Sequence, residues 1–424
     1  MKISLLLLTF IGLAALTTCA GEGGDGEDGK TVKIDPGLFK TGRWEAAVTL
    51  AGGDIRFGLE LTRDADGDGY AATLINGKER VPVGAVTTEQ YKLTLFFPAF
   101  NSTIDAALTD GVLTGTLQLV KRGGTVQSMP FRAEYAEGYT FSIESATPEI
   151  DFTGRWAVEF ISEDGETSSA IGEFVQDGTK LDGTFLTPTG DYRYLSGPVA
   201  GRTVQLSCFD GAHAFLFTAT ADETGALEGD FWSGTKWHER WNAHRDDNID
   251  LPDPYKLTWI KDGYDGIVFE FPGLDGRQVS LDDDRFDGKV VIVTLAGSWC
   301  PNCQDEAAFL SPYFNDNKDR GLEIVTLMYE HLRDEKAAMK QIERFKAKHD
   351  IQYTLLYAGP SGKEEAQRTL PMLNRIVSFP TMIFIDRDGE VRHIHTGFSG
   401  PGTGEHYEDF KKEFSSFVDQ LLAE

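Results

Sequence analysis

Two thiols stand three positions apart in Trp299-Cys300-Pro301-Asn302-Cys303, the segment whose residue types and spacing bear most directly on chemistry. A nearly continuous apolar run from Lys289 to Leu295 precedes them and reads as a buried strand, and a helical segment starts at Pro301. Proline suits the first helical position, where the N–H it lacks would have had no partner. This junction puts Cys300 at an exposed first turn, where free backbone N–H groups and the macrodipole favour a thiolate. Cys300 is the expected attacking sulfur. Cys303, on the same helical face one turn deeper, is expected to resolve the mixed disulfide and release a reduced partner. The competing uses of such a pair are half a zinc site and an inert disulfide. Zinc needs two further ligands, and no second Cys pair or paired His stands at ligand spacing, so neither metal nor cofactor is expected. His393 and His395 share a strand face, which reads as solvated.

The elements around the pair follow from periodicity. After Tyr255 strands alternate with helices, the pattern of an α/β sheet. Leu322 to Met328 reads as a second buried strand, and Ala338, Ile342 and Phe345 mark a second helix. Met382 to Ile385 and Glu390 to Ile394 form a hairpin through Arg387-Asp388-Gly389. Tyr407, Phe410, Phe414, Phe417 and Leu421 line one face of a closing helix.

From about residue 260 to 424 the chain resembles the membrane-anchored thioredoxin-like reductases of the TlpA and ResA type. The resemblance is carried by Trp299-Cys300-x-x-Cys303, by Ser378-Phe379-Pro380-Thr381 ahead of the hairpin, by Gly397 after it, and by Glu306. It implies a thioredoxin-like domain over 255–424, a redox-active disulfide between Cys300 and Cys303, and a catalytic cis proline at Pro380 facing the pair. It also implies that the Phe379 backbone docks an extended substrate segment, with Trp299 and Pro301 in the substrate-binding set. The sequence itself shows only a proline before a buried strand, which cis geometry would suit but which does not require it. Thioredoxin proper carries an acid six positions before its first cysteine, where this chain has Thr294; Glu306 instead follows Cys303 by three, on the stripe with Ala307 and Leu310. A carboxylate buried beside a thiol rises in pKa and exchanges a proton with Cys303, whereas the plain alternative is a solvated helix glutamate. A peroxiredoxin shares the fold and often the N-terminal hairpin seen from Ile267 to Leu281. Its peroxide site wants threonine three and proline seven residues before the cysteine, where Gly297 and Val293 stand, which disfavours peroxidase chemistry.

Upstream, Thr41-Gly42-Arg43-Trp44 recurs as Thr153-Gly154-Arg155-Trp156, and Leu113 to Leu117 falls opposite Leu227 to Phe231. Short alternating runs separated by turn residues, such as Asp54 to Leu61, Tyr91 to Phe97, Val112 to Leu119, Ala170 to Val175 and Thr203 to Phe209, read as antiparallel strands. We therefore expect two repeated antiparallel all-β barrel or sandwich modules, 36–145 and 150–246, with linkers near Ser145 to Glu149 and Asp246 to Pro254. Trp44 and Trp156 are expected at equivalent core positions. Asp64 to Gly69 copies the start of a calcium loop, but Ile75 stands where a bidentate glutamate is needed, so an acidic turn is expected. Trp237 and Trp241 share strand parity and are expected inside the second module, although with Trp232 they could also form a sugar platform. Cys208 reads as a small buried hydrophobe.

Lys2 and the apolar run Ile3 to Leu16 read as an export signal over 1–19, shorter than the roughly 20 residues of a spanning helix. Leu16-Thr17-Thr18-Cys19 resembles the lipobox of bacterial lipoproteins, which makes Cys19 a lipidation site; Thr18 stands where Gly, Ala or Ser is usual, and cleavage after Ala20 is the alternative. Residues 20–35, largely acidic and Gly-rich, read as a flexible tether. The expected location is the bacterial cell envelope, periplasm or outer membrane, with a lipid anchor in the membrane. At 424 residues and a formal charge of -27, the chain needs several domains and repels phosphate backbones, so nucleic acid is not an expected partner. Protein dithiols and disulfides and a membrane-associated electron donor are the expected partners. The contrasting reading is a surface binding protein whose β modules recognise a ligand and whose redox domain is secondary.

Overall fold

Period-two alternation builds the first half of the chain. The computed structural model describes residues 37–67, 69–136 and 146–424; Cys19, the rest of the export signal and the tether lie outside them. Nine strands follow one another in the first body: β1 (Gly42–Leu50), β2 (Gly53–Arg63), β3 (Tyr70–Asn76), β4 (Glu79–Pro82), β5 (Ala85–Glu89), β6 (Lys92–Phe97), β7 (Ser102–Thr109), β8 (Val112–Lys121) and β9 (Thr125–Tyr135). Each pairs antiparallel with the next except at the β4–β5 seam, and β9 returns to β1, so the sheet curls into a half-barrel. Asp64 to Gly69 is the β2–β3 connection, held by Asp64 and Gly69 backbone groups.

The second body has strands β10 (Gly154–Ser162), β11 (Thr167–Asp177), β12 (Lys180–Thr187), β13 (Gly190–Asp191), β14 (Leu195–Ala200), β15 (Thr203–Phe209), β16 (Ala214–Ala221), β17 (Leu227–Ser233) and β18 (Trp237–Arg245). Here β18 returns to β10, and β12 pairs with both β11 and β14, which closes a barrel. Its interior is filled by rings: Phe185 and Phe217 lie 4.7 Å apart, and Phe217 stacks on Phe231 at 4.3 Å. Trp44 and Trp156 are each 1% exposed, and each indole Nε1 donates a 3.0 Å bond to the carbonyl four residues earlier, that of Lys40 or Phe152. Cys208 is buried. The inward expectation for the tryptophans holds for Trp241 and fails for Trp237, which is 54% exposed. Parity gives the side of the sheet correctly. Trp237 begins β18 opposite Ser233, beyond the filled part of the barrel, where that side is open.

The bodies are joined by short polar contacts. Ser207 Oγ accepts from Arg56 N–H at 3.2 Å and donates to its carbonyl, and the Asn76 side chain does the same for Phe209.

The C-terminal domain opens with the hairpin β19 (Glu270–Pro272) and β20 (Gln278–Ser280). There follow β21 (Val290–Ala296), α1 (Pro301–Asn317), β22 (Leu322–Glu330), α2 (Glu335–Lys348), β23 (Thr354–Pro360), α3 (Lys363–Thr369), β24 (Thr381–Ile385), β25 (Val391–Thr396) and α4 (Glu405–Ala423). Sheet order is β23-β22-β21-β24-β25, with β21 central, parallel to β22 and antiparallel to β24. Every residue of β21 is buried. Val290 and Ile292 pack toward α1, α2 and α4, while Val291, Val293 and Leu295 pack toward α3 and the hairpin. The histidine face expected to be solvated is partly covered. His395 is buried against Tyr255 and Phe410 because α4 and the turn at Tyr255 cross β25, and burial pushes its pKa down to about 4.

Candidate active site

The buried strand β21 delivers its C-terminal end to the turn Gly297–Cys300, closed by Cys300 N–H donating to Gly297 carbonyl at 3.1 Å. No side chain fits at Gly297: its Cβ would collide with the Trp299 indole and the Tyr329 carbonyl. Trp299 Nε1 donates to that carbonyl at 2.8 Å, and its ring stacks on His331 at 4.3 Å. The turn is also held from below. Ser298 N–H and Oγ donate to the two oxygens of Glu330 at 3.0 and 2.7 Å, and burial pushes the Glu330 carboxyl up to about 7 against those bonds.

Cys300 caps α1, and its Sγ accepts from Cys303 N–H at 3.3 Å while lying 3.5 Å from the Phe379 carbonyl. The Phe379–Pro380 peptide bond is cis. Both sulfurs are free thiols. Cys303 is fully buried, and burial, then the Cys300 sulfur and Glu306, hold its thiol well above the usual range. Glu306 is 2% exposed; burial, and then Cys300, raise its carboxyl well above the usual carboxylate range, and its Oε1 has no hydrogen-bond partner. The arrangement is a thiol pair with a buried, proton-holding carboxyl on its inner side.

The expected exposure of Cys300 is not observed: it is 6% exposed. The cover comes from the barrel. The β12–β13 turn carries Thr189, whose carbonyl accepts from Ser378 Oγ at 2.8 Å, and Asp191 Oδ2 accepts from Gly400 N–H at 2.7 Å. A Cβ on Gly190 would strike the Asn302 amide, and one on Gly397 would press on Thr189. Behind the turn, Arg193 joins three parts of the chain. It pairs with Glu79 at the start of β4, with Asp210 after β15 and with Asp305 on α1. Burial pushes Asp305 up to about 6, with Arg193 opposing. The half-barrel also reaches this side, where Gly123 N–H donates to the His331 carbonyl at 3.0 Å and Arg122 pairs with Glu365 at 3.3 Å.

Cys300 opens onto a cavity of about 630 Å³ between the barrel and the C-terminal domain, and Cys303 does not line it. Trp299, Pro301 and Phe379 line it too, so the structure gathers these residues with Pro380 around Cys300, and Glu306 with Cys303 on the inner side. Sequence reasoning missed Glu330, Ser298, Arg193, Asp305 and Thr189. A buried acid at the end of a strand was the one available signal, for Glu330. Among the described residues no group of three or more His, Cys, Asp or Glu is placed to hold a metal ion, and no helix is long and apolar enough to cross a membrane.

Residues 263–394 match the AhpC/TSA family. The thiol-disulfide oxidoreductase ResA of Bacillus thuringiensis subsp. konkukian is 24% identical over 153 residues, spanning 36% of this chain and 78% of its own. ResA of Halalkalibacterium halodurans is 22% identical over 135 residues, spanning 32% and 68%. Among solved structures, a thiol:disulfide interchange protein of the thioredoxin family from Chlorobium tepidum aligns over 37% of this chain and 94% of its own at 21% identity, with a TM-score of 0.29.

Proposed function

We propose that this chain, whose C-terminal domain is the thioredoxin-like domain of a thiol-disulfide oxidoreductase, reduces disulfides in the bacterial cell envelope through Cys300 and Cys303. The observation that carries this reading is the asymmetry of the pair: Cys300 opens on the cavity, while Cys303 is sealed beside Glu306. Cys300 thiolate attacks one sulfur of the substrate disulfide, forms the mixed disulfide, and releases the other sulfur as a thiol. Where Glu306 has lost its proton, Cys303 gives its own to that carboxylate and attacks Cys300 Sγ. The Cys300–Cys303 disulfide forms and the second substrate thiol leaves. Two electrons have passed to the substrate, and a membrane-associated dithiol donor restores the pair. Phe379 and Trp299 flank the approach to Cys300, and Pro301 and Pro380 shape it.

Peroxide chemistry fits poorly, because the position three before Cys300 is closed to a threonine by Trp299 and Tyr329. We read the two β bodies as copies of one module, on their shared strand sequence and on the Trp44 and Trp156 bonds. We place the anchor at Cys19, which mass spectrometry of the mature N-terminus tests; an unmodified start at Gly21 removes it.

Trapping with a neutral reactive disulfide, 2,2′-dithiodipyridine, tests the assigned roles on the full chain. Cys303→Ser should retain an adduct at Cys300, since attack occurs and resolution cannot, whereas Cys300→Ser should retain little. Adducts are located by peptide mass mapping, which also sets aside the buried Cys208. Equal yields, or greater reactivity at Cys303, would overturn the assignment.

A further inference from the structure

We infer that the site is built for low-molecular-weight disulfides that carry a flat apolar body and an acidic group, bound at the mouth of the β10–β18 barrel. The inference rests on the reading of Cys300 as the exchanging thiol. It names which disulfides reach that sulfur.

Size comes first. The cavity at Cys300, about 630 Å³, lies within the roughly 300 to 1,000 Å³ of small-molecule sites. Access for anything larger is restricted, because the β12–β13 turn is bonded onto the C-terminal domain at Ser378 and Gly400. A disulfide on a folded protein surface would have to displace that turn. A small one need not.

Chemistry comes second. Phe160, Tyr192 and Phe215 from the barrel face Trp299 and Phe379 from the C-terminal domain across the cavity. Five aromatic rings from two separate bodies make walls suited to a flat group. The ionisable lining is Lys363, His213 and Asp191, besides Cys300 and Tyr192. Asp191 is turned away, with its oxygens accepting from Arg193 and Gly400 N–H, and burial raises its pKa. Burial also favours neutral His213, against the pull of Asp210. Lys363 is left as the cation at the rim, although burial lowers its pKa. An adjoining cavity of about 610 Å³ shares Lys363, Tyr192, Phe215 and Trp299 and adds Lys121 and Glu239. In a chain of net charge -27, a lysine at the mouth of the thiol cavity selects an anionic group on the incoming molecule.

In one turnover one small disulfide becomes two thiols, and Cys300 and Cys303 become a disulfide that an external dithiol must reduce.

The test is single-turnover exchange of the pre-reduced full chain, freed of reductant, with three probes. These are dianionic 5,5′-dithiobis(2-nitrobenzoate), neutral 2,2′-dithiodipyridine, and insulin as a protein disulfide, each rate divided by that of free dithiothreitol with the same probe. The normalised order expected is the dianion first, the neutral aromatic next, and insulin at least tenfold behind. Lys363→Glu, at an exposed position, should lower the ratio of dianion to neutral rates by on the order of tenfold, an effect that salt shrinks. Insulin reduced as fast as the small probes, or a ratio unmoved by Lys363→Glu, overturns the inference and leaves the exchange reading standing. No reaction of Cys300 with any probe removes the exchange reading, and this inference with it.

Discussion

Glu330 holds the turn that presents Trp299 and Cys300, and its burial makes a measurable prediction. Its carboxyl sits at about 7 in the folded chain against an ordinary 4.5, raised by burial and opposed by the two Ser298 bonds. Between those pH values the folded chain holds a proton that the unfolded chain has released. Stability from this group is therefore fully present below pH 4.5 and is lost as pH rises to 7, where the loss levels off. A difference of 7 − 4.5 = 2.5 units at ~1.36 kcal/mol each makes the loss about 3 kcal/mol. Glu330→Gln removes the titration while keeping an acceptor for Ser298 N–H and a polar partner for Ser298 Oγ. Denaturant unfolding of both proteins from pH 4.5 to 8 is the assay. Wild type should lose about 3 kcal/mol relative to the glutamine variant across that range, with the steepest change between pH 5 and 7. Parallel stability curves would refute the reasoning, since they would mean that Glu330 ionises in place as readily as in water.

Three further outcomes are expected. Trp44→Ala and Trp156→Ala should each cost about 3 to 5 kcal/mol, because each removes a buried indole and strands a carbonyl; chemical denaturation measures both. Glu306→Gln should leave the fold intact, slow the resolving step, and abolish any rise in exchange rate with pH that reports the raised Glu306 carboxyl, which pH profiles of single-turnover exchange will show. Arg193→Met should cost about 3 to 5 kcal/mol by leaving Glu79, Asp210 and Asp305 without their shared cation, and should speed proteolysis at the β12–β13 turn; unchanged stability and cleavage would mean that the cluster does not hold the barrel in place.

The strands that sequence made legible are those whose burial leaves a regular pattern, either alternating or continuous. Val112 to Leu119 alternates because β8 has one side on the core and one in water, and the Lys289 to Leu295 run is continuous because β21 is covered on both faces. Leu195–Ala200 was not picked out for a related reason: five of its six residues are buried, and with Ser, Gly and Pro among them it presents neither alternation nor a long apolar run. Lys363–Thr369 is too short for helical periodicity to register and buries Ala366 alone. Trp237 shows what parity omits, since period two reports the side of a sheet and says nothing of how far along the strand the packed interior ends.

At the site, legibility stopped where local chemistry stopped. Cys300, Cys303, Pro301 and Glu306 lie on one helix or its cap, so spacing alone relates them. Phe379 and Pro380, some eighty positions on, came into view through the resemblance. The cover over Cys300 comes from more than a hundred positions upstream and is made by a carbonyl, a glycine and an aspartate that any hairpin turn could carry. Backbone groups leave no mark in side-chain pattern, so an exposed first turn was the natural expectation for a helix-capping cysteine.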